Sequence, residues 1–186
     1  MISQAKKGDY KQVAPLIVQA MEDLACFFAN TKEPEMAIPL FEHFFQLPAN
    51  QYSYENTLVY KNNGQIVGSI TGYDGALLDS YREPFLNYIS KYYTTKNISL
   101  EKETQKGEYY IDTLSVSPSH QGHGIGSKLI VAMKDIAVKK GLDKIGLLVD
   151  KNNLKAKQLY SDLDFVAVGE KKVAGSSYVH MQCINF

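Results

Sequence analysis

Gln121-Gly122-His123-Gly124-Ile125-Gly126 is the stretch on which the reading of this chain turns. Before it lies Tyr109 to Val116, rich in Tyr, Ile, Thr and Val and stopped by Pro118, which predicts a strand. After it, Ile125, Leu129, Ile130, Met133, Ile136 and Ala137 recur on one helical face, with Lys139 and Lys140 at the end and Gly141 as the stop. A strand, three alternating glycines and a helix start together describe an anion site. Glycine lets a ligand approach the main chain, the first N–H groups of a helix lack intrahelical partners, and the helix dipole there favours negative charge. Phosphate is the natural occupant. Two nucleotide loops fit poorly. A Walker A loop needs Gly-Lys-Ser/Thr where this chain has Gly126-Ser127-Lys128, and a dinucleotide fingerprint needs Gly or Ala where Ser127 or Leu129 stands.

Downstream, Lys144 to Val149 is a nearly continuous apolar run, as in a strand covered on both faces. Ala156, Leu159, Tyr160 and Leu163 follow at helical spacing, and Phe165 to Phe186 reads as a hairpin turning at Gly175-Ser176. Upstream, the strands Thr57–Tyr60 and Gln65–Gly72 flank Asn63-Gly64, a strong hairpin signal. Asp9 to Asn30 reads as a helix, with Asp9 and Gln12 resembling a capping box and Pro15 expected to delay or kink it. Met36 to Leu47 reads as a second, less regular helix. Ala76 to Lys106 reads as an insertion between strands, helical or irregular. The expected architecture is α/β, a mixed sheet with helices on both faces, in one domain spanning residues 1–186.

Lysine plus arginine balance aspartate plus glutamate at 20 each, so no global field favours nucleic acid or an anionic membrane. No apolar run approaches a membrane span, and Met1 to Lys7 lacks the apolar core of a signal peptide, so a cytoplasmic location is expected. Cys26 and Cys183 sit among apolar neighbours and read as buried free thiols. His43 and His180 show no ligand spacing, so no metal is expected.

Gln121-x-x-Gly124-x-Gly126 resembles the Gln/Arg-x-x-Gly-x-Gly/Ala signature of the GNAT superfamily of N-acetyltransferases. Ile111-Asp112-Thr113-Leu114-Ser115-Val116-x-Pro118 is similar to that family's preceding strand. Asn153-x-x-Ala156-x-x-Leu159-Tyr160-x-x-Leu163-x-Phe165 is similar to its later block. The resemblance covers Gln65 to Phe165 and implies a GNAT-like fold with acetyl-CoA as co-substrate. It further implies that main-chain groups of Leu114, Ser115 and Val116 pair with the pantetheine arm. Backbone N–H groups of Gln121, Gly122, His123, Gly124, Ile125 and Gly126, with Ser127, would hold the pyrophosphate. Asn153 would contact the pantetheine, and Tyr160 would sit near the thioester sulfur. One departure stands at Asp164, where the family usually has Gly; Asp tolerates the left-handed conformation better than most residues.

Acyl transfer to an amine needs the amine neutral and the leaving thiolate stabilised. Asp112, on the strand face it shares with Tyr110, Leu114 and Val116, is the candidate base, against a structural reading in which it bonds loop amides or a lysine. Tyr160 is the candidate acid, against a plain core aromatic. The acceptor, a small-molecule or peptide amine, is expected to meet Tyr81, Tyr88 and Tyr92 of the insertion. A homodimer is compatible with these features. The rival reading is a CoA-binding sensor or partner module that has lost catalysis.

Overall fold

A short edge strand, β1 (Ile2–Gln4), pairs antiparallel with β2 (Thr57–Asn62), and β2 turns onto β3 (Gln65–Asp74) through Asn63 and Gly64. Those two residues take φ of 48° and 82°, the pair of positive values that a tight two-residue hairpin demands. The remaining strands are β4 (Tyr109–Val116), β5 (Lys144–Asp150), β6 (Val166–Val173) and β7 (Ser176–Ile184). The computed structural model describes residues 1–93 and 98–186. In it these strands form one seven-stranded sheet in the order β1-β2-β3-β4-β5-β7-β6.

Every neighbouring pair is antiparallel except β4 and β5, which run parallel. Their register covers only Tyr109, Tyr110 and Ile111 against Ile145, Gly146 and Leu147. Beyond it the strands part, and Asp112 to Val116 have no partner on the β5 side. This opening positions everything that follows.

Among the described residues six α-helices cover the sheet. One core layer joins α1 (Tyr10–Ala20), α2 (Glu22–Phe28), α3 (Ile38–Phe45) and α4 (Leu78–Tyr92). The other joins α5 (Ile125–Lys139) and α6 (Leu154–Ser161). Alternation along β2 shows the two faces: Leu58 belongs to the core layer that holds Leu129 and Met133, whereas Val59 belongs to the one that holds Ile17 and Phe41. No helix among the described residues is long and apolar enough to cross a membrane.

The first predicted helix breaks, and not at Pro15. The proline lies exposed inside α1, and the break falls at Met21, whose φ of −144° and ψ of 48° are not helical. α2 therefore has its own N-terminus, carrying Glu22 and Asp23. Between β3 and β4 the chain forms α4, with residues 94–97 outside the described residues, and then an irregular strap from Ile98 to Glu108. Cys183 is buried as expected, while Cys26 is only partly so.

Candidate active site

The opening between β4 and β5 is a groove on one side and a cavity on the other. The groove, about 420 Å³, is walled by Leu114, Ser115 and Val116 of β4, by the glycine loop, and by Asn153, Ala156, Leu159 and Tyr160 at α6. The cavity, about 480 Å³, lies between the α1–α2 junction, β4 and the end of β5. Leu114, Asn153, Ala156 and Tyr160 belong to both walls.

The glycine loop has the backbone geometry that an anion cradle requires. Gly122 and Gly124 take φ of 79° and 70°, and Gly124 caps α5 in the left-handed region, where a side chain is strained. The first helical bond of α5 runs from the Lys128 N–H to the Gly124 carbonyl at 3.1 Å, so the N–H groups of Ile125, Gly126 and Ser127 precede the ladder. Gln121, Gly122, Gly124, Ile125, Gly126 and Ser127 all line the groove. A Cβ on Gly126 would meet nothing nearer than the Leu159 Cδ2 at 3.6 Å, so the backbone there is open to close approach.

His123 is different. Its ring folds back over the loop with Nδ1 2.9 Å from the Gln121 carbonyl oxygen, and it does not line the groove. His120, to which sequence reasoning gave little claim, and Lys155, which it did not single out, do line it. The Val116 carbonyl already accepts bonds from Gln19 and Gln121, each at 3.0 Å, which leaves the earlier part of the β4 edge as the unpaired stretch. Asn153 spends Oδ1 capping α6 through the Ala156 N–H at 3.0 Å, so its amide N–H₂ faces the shared wall. Asp164, where the family has glycine, takes φ of 67° and lets the chain leave α6 towards Phe165.

Tyr160 is buried against Phe165, with ring centroids 5.9 Å apart, and lies where groove and cavity meet. Burial alone pushes its phenol up to about 12, so the proton stays on oxygen throughout any working pH. Tyr110, Asp112 and Leu114 line the cavity together, as their shared strand face requires. Asp112 Oδ2 accepts bonds from Tyr73 OH at 3.1 Å and Gln51 Nε2 at 3.2 Å. Burial, then the charge of Glu103, pushes its carboxyl up to about 7 against those two donors and Arg82. Glu103 is itself raised by burial and held ionisable by Arg82 Nη2 at 2.6 Å.

The tyrosines of α4 go elsewhere. Tyr88 stacks on His43 at 4.6 Å and meets Phe44 edge-on at 5.3 Å. Tyr92 lies over Tyr88 and is 59% exposed, and Tyr81 packs against Tyr73. None of the three lines groove or cavity. The helix turns its aromatic side to α3, and what the segment lends to the cavity is Glu103 from the strap. Its sign in the sequence was Arg82, which falls on the stripe Leu78, Phe85 and Ile89; an arginine there needs a buried carboxylate.

A solved structure described as an acetyltransferase is 31% identical, covers all of both chains and superposes with a TM-score of 0.81. An N-acetyltransferase from Staphylococcus aureus Mu50 has a TM-score of 0.83 over 98% of this chain and 99% of its own, at 24% identity, and shares the fold. Among curated proteins, mycothiol acetyltransferase of Renibacterium salmoninarum is 42% identical over 59 residues, which are 32% of this chain and only 17% of that protein. The family model described as the acetyltransferase (GNAT) family matches residues 17–165. With the cradle, the splayed strands and the seven-stranded sheet in place, the chain belongs to the GNAT family and is an acyltransferase.

Proposed function

We propose that the chain moves an acetyl group from acetyl-CoA to a primary amine by direct attack in a ternary complex. The observation that carries this is the shared wall: a phosphate-cradling groove and a carboxylate-lined cavity meet at Tyr160 through the gap between β4 and β5. Two ligands entering from opposite sides would touch there and nowhere else. The donor set fits acetyl-CoA, with free N–H groups at Ile125, Gly126 and Ser127 for the pyrophosphate and the unpaired β4 edge at Leu114 and Ser115 for the arm. When bound it supplies an acyl group on a thiol leaving group.

The residues divide the proton work. Asp112, half ionised near neutral pH, takes the proton of the entering ammonium and frees its lone pair. The N–C bond then forms as the C–S bond breaks, and the proton that the nitrogen sheds on becoming an amide passes to the departing sulfur, so that CoA leaves as the thiol. A phenol raised to about 12 does not give up its proton to a thiolate outright; Tyr160 donates a hydrogen bond to the sulfur as charge builds there. Asn153 holds the arm in register from the same wall.

The test is thiol release from acetyl-CoA with purified protein and a panel of amines. Amine-dependent release whose rate depends on both substrates in a sequential pattern is the expected result. Tight CoA binding with no release on any amine would leave a binding module in place of an enzyme.

A further inference from the structure

Among the described residues, the cavity on the acceptor side is lined by five carboxylates, Glu22, Asp23, Glu103, Asp112 and Asp150, and by no lysine, arginine or histidine. The whole chain is neutral, so this acidity is a property of the cavity and not of the protein. Among the described residues only Glu103 of the five is ion-paired, to Arg82. Asp112 accepts from the neutral donors Tyr73 and Gln51, and among the described residues it has no ion pair, Arg82 acting on it only at longer range. A sequestered carboxylate without a cation, opening into a cavity, is where a cationic ligand gains most.

The charges are set at two depths. Glu103 is buried and Asp112 largely so, next to the wall shared with the groove, whereas Glu22, Asp23 and Asp150 are exposed at the rim. The rest of the lining carries no formal charge and includes the apolar side chains of Leu24, Leu114, Leu148 and Val149. Glu22 and Asp23 alone could be ascribed to the dipole of α2, in whose first turn they lie. Asp150 cannot: it ends β5, on the other side of the rim. Tyr178, also on the wall, is raised by burial and then by the charges of Asp150 and Asp23, which places both carboxylates in one field.

We propose that the acceptor is a linear diamine or polyamine, with its reacting nitrogen at Asp112, its methylene chain along the apolar lining and a second ammonium at the rim carboxylates. This rests on the acetyltransferase reading above and narrows it. An amino acid is disfavoured by the same geometry, because its carboxylate would meet the acidic rim.

The experiment compares α,ω-diamines of increasing length with n-alkylamines and ω-amino acids of matched length, using the full chain and acetyl-CoA. The diamines should show the highest kcat/KM and the ω-amino acids the lowest, and the diamine advantage should shrink as salt is raised. In the double variant Glu22→Gln/Asp23→Asn the ratio of diamine to monoamine kcat/KM should fall roughly three- to tenfold, as expected for two exposed charges. Equal kcat/KM for diamine and monoamine in the wild type, or an unchanged ratio in the variant, overturns the proposal. Should no amine be acetylated, the activity reading fails on its own. Calorimetry of the same diamines and monoamines on CoA-saturated protein then decides this one: tighter diamine binding upholds the dication site, and equal binding overturns it.

Discussion

Asp112 presents a conflict between stability and chemistry that can be measured. Its carboxyl rises to about 7 in the fold, from burial first and Glu103 second. The folded protein therefore holds this proton more tightly than the unfolded chain, whose aspartate titrates near 3.9, and stability falls as pH rises from about 4 to about 7. Asp112→Asn cannot ionise. It should stabilise the fold above pH ~7 by on the order of 1–3 kcal/mol, read as a higher melting temperature, and change stability little near pH ~4. The same variant should lower kcat on the order of 10²–10³-fold and remove the limb of kcat/KM that rises through about pH 7. An asparagine variant that melts lower at every pH and keeps the limb would make Asp112 a structural anchor for Tyr73 and Gln51. Tyr160→Phe is the complementary probe. The ring still packs on Phe165, so acetyl-CoA affinity should hold while kcat falls roughly 10–10³-fold. Because the phenol stays protonated up to about 12, the wild-type profile should show no falling limb from Tyr160 in the neutral range. Unchanged kcat in the Tyr160→Phe variant would return the residue to the core.

At the scale of elements, the strap carrying Glu103 has neither helix nor strand to hold it. Side chains do the holding. Lys171 Nζ donates to the Glu103 carbonyl at 2.8 Å, and Thr104 Oγ1 donates to Glu108 Oε2 at 2.7 Å. Glu108 Oε1 lies 2.7 Å from His180 Nε2 and accepts from Gln182 at 2.9 Å, so the strap is tied to β7. Burial would raise Glu108, but the bonds from His180, Thr104 and Gln182 outweigh it and hold the carboxyl below its usual value. The knot is possible because β5 has glycine beneath it: a Cβ on Gly146 would collide with Glu108 Oε1 and lie 2.6 Å from Cδ. Gly146→Ala should displace Glu108, cost about 1–3 kcal/mol and loosen Glu103. Acceptor KM should then rise several-fold with acetyl-CoA affinity spared, and denaturant melts beside steady-state kinetics would show it. A variant of wild-type stability would mean the knot reforms around a methyl group.

These elements also show what a sequence displays and what it hides. The backbone geometry of the glycine loop was legible because its causes are local: glycine torsions, orphan N–H groups and an amphipathic helix lie within one short run. The hairpin at Asn63-Gly64 was legible for the same reason. The break at Met21 was not, because the apolar helical spacing runs straight through it and no local breaker marks it. Glu103 lay in the run Glu101-Lys102-Glu103, which reads as solvated, and its partner Arg82 is 21 positions away. The α4 tyrosines misled because helical spacing tells which residues share a face but not which neighbour that face meets.

For the whole molecule, the splayed pair is the weak line of the sheet. The β4–β5 ladder has three register positions, while β5 and β7 share seven and β3 and β4 share seven. Below the opening, the halves of the sheet are joined through side-chain packing such as Tyr109, Ile111, Ile145 and Leu147 with α5. A ligand lying along β4 and reaching the cradle and α6 contacts both halves at once, and only in the folded state. Linkage then gives about 2.7 kcal/mol of stabilisation at a hundred times Kd. For a chain of this size each kcal/mol shifts the midpoint by about 2–4 °C, so saturating CoA should raise it by roughly 5–11 °C. Gly124→Val is the control that ties the shift to the cradle. Its φ of 70° is hostile to a β-branched residue, so the variant should melt somewhat lower by itself, by about 1–2 kcal/mol. More tellingly, CoA should no longer shift it. If CoA stabilised the variant as much as the wild type, the pyrophosphate would be held elsewhere, and the groove along β4 would not be the route by which the acyl group reaches Tyr160.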